Sequence, residues 1–246
     1  MNKGGSPVAD IFFDFDSTMV EIETLDVLLS QHMTDSALKK HIAHITKQGM
    51  AGEISLFQSL TQRLKAAKIH QSDIEAFANS LPQHITAGLK PLIDKWQQHG
   101  HTIHILSGGF KDYMHPTAAQ LNIEKSHIHA NKLLFDDQGY ITGLDEKNPL
   151  CHNYGKGKVI EELSLCNQAI MIGDGVTDLE VYLDGKCTAF IGFGLHAKRE
   201  NVQQQSPTFV IDIAQFEKAV EQKITQIKKG VWPCILSAKI KSMFYC

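Results

Sequence analysis

The chain is poor in cysteine pairs, in charge of one sign and in long apolar runs, and each shortage removes a class of protein. Five cysteines (Cys151, Cys166, Cys187, Cys234 and Cys246) are scattered through 246 residues, odd in number and without a CxxC pair. A disulfide framework is not expected, and a reduced, cytoplasmic protein is the natural reading. No run of 18 apolar residues occurs, so no membrane span is expected. The first apolar run is short and ends in Asp14 and Asp16, unlike a signal peptide. Basic side chains number 24 against 27 acidic ones, a net charge of −3, which argues against a nucleic-acid binder. Internal repeats and low-complexity segments are missing too.

What remains is a chain long enough for one large domain or two small ones. Residues 8–15 read as an apolar strand. From Glu21 to about Leu81 the apolar spacing becomes helical, as in Leu25, Leu28 and Leu29 or Leu56, Leu60 and Leu64, and predicts three or four short helices. Strand and helix then alternate. Strands are expected in "HTIHILSGG" (101–109), "HIHAN" (127–131), "QAIMIGDG" (168–175), "CTAFIGFG" (187–194) and "TFVID" (208–212). A hairpin is expected over 132–143, and helices over 91–99 and 156–165. The helix after Gly109 is expected to break or restart at Pro116. This is an α/β pattern with a parallel sheet, and a helical block is inserted after the first strand.

In such a sheet, ligands bind beyond the carboxyl ends of the strands. The polar clusters fall there: Asp14 and Asp16, Ser107 to Gly109, Asp174 and Asp178, with Lys156 at a helix start. Several carboxylates, a lysine, a hydroxyl and glycine turns suit phosphoryl transfer, where positioning and charge neutralisation do most of the catalysis. Asp14 can be the nucleophile, through an aspartyl phosphate. Asp16, two residues on, can protonate the leaving oxygen and then activate water. Asp174 can give a carboxylate to Mg²⁺, with Asp178 behind it holding a metal water or Lys156. Lys156 neutralises phosphate charge. Ser107 with the amides of Gly108 and Gly109 is expected to form an anion nest at a helix start.

"DFDST", "SGG", "GKGKVI" and "GDGVTD", in this order, resemble the haloacid dehalogenase superfamily, and within it the phosphoserine phosphatase family. The resemblance covers roughly residues 9–216. It implies a Rossmann-like core of residues 1–20 and 83–229, a helical-bundle cap of the C1 type over 21–82, and a tail, 230–246, without counterpart. It implies Asp14 as nucleophile and Asp16 as acid and base. Mg²⁺ would be held by Asp14, Asp174 and the backbone carbonyl of Asp16. Lys156 matches the motif lysine, with Lys158 as the alternative, and Ser107, Gly108 and Thr177 match the phosphate-binding positions. In the cap, Glu23 matches the residue that holds a substrate ammonium, Arg63 the one that holds its carboxylate, and Met50 a pocket wall. Two departures stand out: Leu56 replaces the usual Phe, and "NPLCHNY" (148–154) replaces a Gly/Ser-rich lead-in.

The expected activity is Mg²⁺-dependent hydrolysis of L-phosphoserine to serine and phosphate, the last step of serine biosynthesis. The alternative is hydrolysis or transfer of another small phosphate ester by the same chemistry. A receiver-like phosphoacceptor is a different class; Asp16 argues against it, because a lasting phospho-signal excludes a general base beside it. The expected partner is a small phosphate ester, with no nucleic acid and no membrane, in a monomer or a dimer. The 13 histidines, including "HGHTIH" (99–104), read as structural or surface residues rather than a zinc site. The apolar, basic tail could pack on the domain, mediate dimerisation or be disordered.

Overall fold

Alternation of strand and helix after residue 85 produces a six-stranded sheet in the order β3-β2-β1-β6-β7-β8, every neighbouring pair parallel. Its strands are β1 (Ala9–Phe13), β2 (Thr102–Phe110), β3 (Ile128–Asn131), β6 (Gln168–Gly173), β7 (Ala189–Phe193) and β8 (Phe209–Val210). The computed structural model describes residues 8–51, 53–165 and 167–228, without the side chains of Met50, Ala51 and Lys228. The tail 230–246 therefore lies outside the described residues.

Period-two burial divides the core in two. Ile11, Phe13, Ile170, Ile172, Ile191 and Phe193 face one way, onto α5 (Leu89–Gln98) and α10 (Ile213–Lys228), where Trp96 and Phe216 pack edge to face at 5.7 Å. Phe12, Leu106, Met171 and Phe190 face the other way, among Val159 and Ile160 of α7 (Gly155–Glu162) and Leu179 of α8 (Val176–Leu183). A strand buried on both faces has no polar alternation, which is why these segments read as continuous apolar runs.

Between β1 and β2 stand α1 (Thr24–Gln31), α2 (Ser36–Ala51), α3 (Leu56–Lys65) and α4 (Gln71–Ser80). A capping box of Ser55 and Gln58 starts α3. The apolar stripe of the block, including Leu25, Leu28, Leu60, Leu64 and Phe77, is continuous with the first core cluster. The chain enters the block and leaves it through two paired linkers: Glu21 N donates to His84 O (2.9 Å) and Thr86 N to Met19 O (2.9 Å), with an antiparallel bridge between Val20 and Ile85. A second join involves the hairpin of β4 (Leu133–Phe135) and β5 (Ile141–Leu144). Ile141 N donates to Ile69 O (3.0 Å), and Gln71 N to Gly139 O (2.8 Å).

The sequence reading needs three corrections. The segment after Phe13 is not strand but a single π-type turn, Phe15–Met19, closed by Val20 N on Phe15 O. Ser107, Gly108 and Gly109 do not form a turn: β2 runs on to Phe110 with an irregular register after Leu106, and α6 (Lys111–Gln120) starts at the next residue. Pro116 does not break α6, which runs through it as one helix. Its missing N–H costs one helical bond, and burial of Tyr113, Met114, Thr117 and Ala118 on one face holds the helix together.

Candidate active site

The carboxyl ends of β1, β2 and β6 open into one cavity of about 470 Å³. Asp14, Asp16, Ser107, Gly108, Lys156, Asp174 and Thr177 line it from the core, and Glu23, Leu56 and Arg63 from the helical block. The expected residues are thus brought together, with two exceptions. Asp178 lies behind the wall, fully buried, and the Met50 side chain is outside the described residues. Lys158 is exposed on α7, so Lys156 is the lysine of the site.

Asp14 follows β1 directly, its N–H on Ile172 O of β6 (2.8 Å). Its Oδ1 accepts from Phe15 N (2.8 Å) and lies 2.9 Å from Lys156 Nζ. Lys156 Nζ also donates to Asp178 Oδ1 (2.5 Å), and Asp178 Oδ2 accepts from Gly175 N (3.0 Å). Burial alone would lower the Lys156 pKa, but the charges of Asp14 and Asp178 outweigh it and hold the ammonium above the ordinary lysine range. The site therefore keeps a fixed positive charge beside the Asp14 carboxylate.

Asp16 sits in the π-type turn with extended backbone, and its Oδ1 accepts from Thr24 N (2.8 Å) at the start of α1. Burial, then the charges of Glu23 and Asp14, push its carboxyl up to about 8. An acid protonated at neutral pH is suited to giving a proton to a leaving group. Ser17 next to it adopts a left-handed conformation (φ 51°), uncommon for a residue with a Cβ. Its N–H on Ile22 O (3.2 Å) and its hydroxyl on Glu23 Oε1 (2.9 Å) hold it there. A Cβ at Gly109 would crowd the site, standing 2.9 Å from Met114 Cε and 3.3 Å from Asp16 Oδ2.

One oxygen from each of Asp14, Asp174 and Asp178 falls within a 4.8 Å cluster, a set that could hold a metal ion. The donors are all oxygen, which suits a hard divalent cation rather than zinc. Burial and the Asp14 charge push Asp174 up to about 6 against the pull of Arg199. The excess of negative charge fits a cation. No histidine belongs to such a group among the described residues. Of the conspicuous histidines, His104 is structural: Nε2 lies 3.2 Å from Asp10 Oδ1, Nδ1 lies 3.3 Å from His129 Nε2, and the ring stacks on Phe12.

Sequence reasoning missed Arg199. It precedes α9 (Glu200–Gln205), and its Nε and Nη2 each donate to Asp174 Oδ2 (2.8 Å), while Nη2 also reaches Glu23 Oε1 (3.2 Å). The available signal was its place soon after "AFIGFG", another strand whose carboxyl end faces the site. Arg63, in turn, is already paired: Nη2 stands 3.1 Å from Asp26 Oδ1, and its buried Nε has no hydrogen-bond partner among the described residues. The departures noted in the sequence meet in the cavity wall beside Gly108, where a Cβ would lie 3.7 Å from Leu56 Cδ2 and 3.8 Å from Leu150 O.

The model of the haloacid dehalogenase-like hydrolase family matches residues 11–182. The phosphoserine phosphatase of Bos taurus is 31% identical over 215 residues, 86% of this chain and 93% of that protein. A phosphoserine phosphohydrolase-like protein from Francisella tularensis superposes with a TM-score of 0.80 at 32% identity, over 87% of this chain and all of that one (100%). A phospho-aspartyl intermediate analogue of phosphoserine phosphatase shares the fold, with a TM-score of 0.71 at 23% identity over 87% of this chain and 99% of its own.

Proposed function

The chain belongs to the haloacid dehalogenase-like hydrolases, and we propose that within them it is a phosphoserine phosphatase, forming serine and phosphate through an aspartyl phosphate. The observation that carries this reading is one cavity lined both by Asp14, Asp16 and Lys156 and by Glu23 and Arg63. The first three suit phosphoryl transfer; the last two suit an ammonium and a carboxylate. The relatives named phosphoserine phosphatase support it.

In this reading an oxygen of Asp14 attacks phosphorus and the bond from phosphorus to the serine oxygen breaks. Asp16 gives its proton to that oxygen, and serine leaves. Asp16, now a carboxylate, takes a proton from water as the water oxygen attacks phosphorus. The Asp14–phosphorus bond breaks, phosphate leaves, and Asp16 is again protonated. Lys156 holds the Asp14 oxygen in place and offsets the charge of the phosphoryl group. Ser107, Gly108 and Thr177, which line the cavity, would hold the phosphate. Asp14, Asp174 and the Asp16 backbone carbonyl would hold Mg²⁺, with Asp178 behind them and Met50 on the pocket wall. When bound, the ion supplies the positive charge that lets a phosphate dianion sit among carboxylates. The protein would act in the cytoplasm, in serine biosynthesis.

Leu56 favours a second reading, a wider range of small phosphate esters. Its Cδ2 stands 3.7 Å from where a Cβ of Gly108 would be, so a leucine rather than an aromatic ring walls this end. A panel of phosphoserine, phosphoethanolamine and glycerol phosphate, each with Mg²⁺, tests both. Phosphoserine is expected to be hydrolysed with the highest kcat/KM. Equal rates on phosphoethanolamine refute the phosphoserine reading.

A further inference from the structure

We propose that His196 is a positioning residue. By tying the loop 194–199 to the linker through which the helical block returns to the core, it sets where Arg199 stands between Asp174 and Glu23. The inference rests on the proposed role of Glu23 toward the substrate ammonium.

The geometry begins with one hydroxyl. Thr86, 2% exposed, lies in the returning linker. Its Oγ1 lies 2.7 Å from Thr18 O and 2.9 Å from His196 Nε2. A carbonyl oxygen can only accept, so the single hydroxyl proton goes to Thr18. His196 Nε2 must then carry the hydrogen of the other bond and donate it to Thr86. The contact is thus directional, and the tautomer is fixed by proton accounting.

From there the bonds close a ring. Thr18 Oγ1 donates to Asp174 Oδ1 (3.4 Å). Asp174 Oδ2 accepts from Arg199 (2.8 Å). Arg199 belongs to the same loop as His196, and that loop has no helix or strand of its own between Phe193 and Glu200. The loop begins on a backbone bond, Gly194 N to Val210 O (2.8 Å). Beyond it, His196 holds the loop to the two paired linkers, its ring tilted against Phe193. An arginine side chain has many rotamers, so where its backbone is fixed decides which partners it can keep. Arg199 in turn holds Glu23 Oε1, the same oxygen that accepts from Ser17. Releasing His196 should therefore reach the substrate through Arg199 and Glu23, without touching the nucleophile.

The test is a set of variants assayed on two esters. His196→Ala is expected to raise KM for phosphoserine about fivefold, the worth of one net hydrogen bond, with kcat within about twofold. KM for p-nitrophenyl phosphate, which has no ammonium, should stay unchanged. His196→Gln, whose amide N–H can occupy the Nε2 position, should restore KM. In an Arg199→Ala background, His196→Ala should add nothing. An equal rise on both esters overturns the route through Glu23, and failure of the glutamine variant or additive effects in the double variant each overturn the tether. The same cycle measured on unfolding free energy needs no substrate: non-additivity supports the tether, and additivity overturns it. A wild type inert toward phosphoserine defeats the substrate reading instead, and leaves that stability cycle to decide the tether.

Discussion

Asp14 and Lys156 meet at 2.9 Å, and the lysine is shared with Asp178 at 2.5 Å. The proposed nucleophile is therefore held in place by a shared lysine before any substrate arrives. Asp14→Asn should lose turnover by at least about a thousandfold, because an amide is a poor nucleophile toward phosphorus. Rapid-quench trapping with labelled ester should find a phosphoenzyme in the wild type and none in the variant. A tenth of wild-type activity in Asp14→Asn would sink the covalent mechanism.

The acidic cluster should make metal-free protein sensitive to alkali. Asp16 and Asp174, pushed up to about 8 and about 6, keep protons that the unfolded chain gives up above about pH 4. Between those limits the folded state binds more protons, so its stability falls as pH rises from about 4 to about 8. Mg²⁺ should flatten this slope by stabilising the ionised carboxylates, and should restore activity after chelation. Urea unfolding at pH 5, 6.5 and 8, with EDTA or with Mg²⁺, measures both slopes. Metal-free stability independent of pH would contradict the cluster's charge balance.

Arg63 should select the ester, not drive the chemistry. Arg63→Ala is expected to lower kcat/KM for phosphoserine by about 30-fold or more, an energy of about 2 kcal/mol. Hydrolysis of p-nitrophenyl phosphate should be nearly unchanged. Asp26→Asn, which weakens the hold on Arg63, should give a smaller loss in the same direction. Equal losses on both esters would remove Arg63 from the selector's role.

Gly173 leaves room for Asp178. A Cβ there would lie 2.2 Å from Asp178 Oδ2 and 2.3 Å from its Cγ. Gly173→Ala must shift Asp178, and with it Lys156. A displacement of about 1 Å in a catalytic group can cost on the order of a hundredfold. Such a loss in kcat, with an unaltered circular dichroism spectrum, is the expected result; full activity would show that Asp178 does not fix Lys156.

The parallel core was legible because β1, β6 and β7 are buried on both faces and read as unbroken apolar runs. Asp14, Asp16 and Asp174 were legible because strand ends mark the ligand edge of such a sheet. The π-type turn was not legible: its closure depends on Ser17 taking a left-handed conformation, fixed by Glu23 and Ile22. Arg199 and the Thr86–His196 bond escaped because they join residues separated by 25 to 176 positions, and no local periodicity encodes such pairs. The pairing of Arg63 with Asp26 was missed for a related reason: spacing placed both in the helical block but could not orient one helix on another.

The join between the helical block and the β4–β5 hairpin has a consequence for traffic. Backbone bonds on both sides of His70 fasten the start of α4 to the hairpin, so that end of the block is a fixed jamb. The door is α2. It supplies Thr46, Lys47 and Gly49 to the cavity wall, yet among its described side chains only Ile42, Ile45 and Thr46 are buried. Two buried apolar side chains represent roughly 3–6 kcal/mol of burial. Entry of ester and release of serine are therefore expected past α2 rather than past α4.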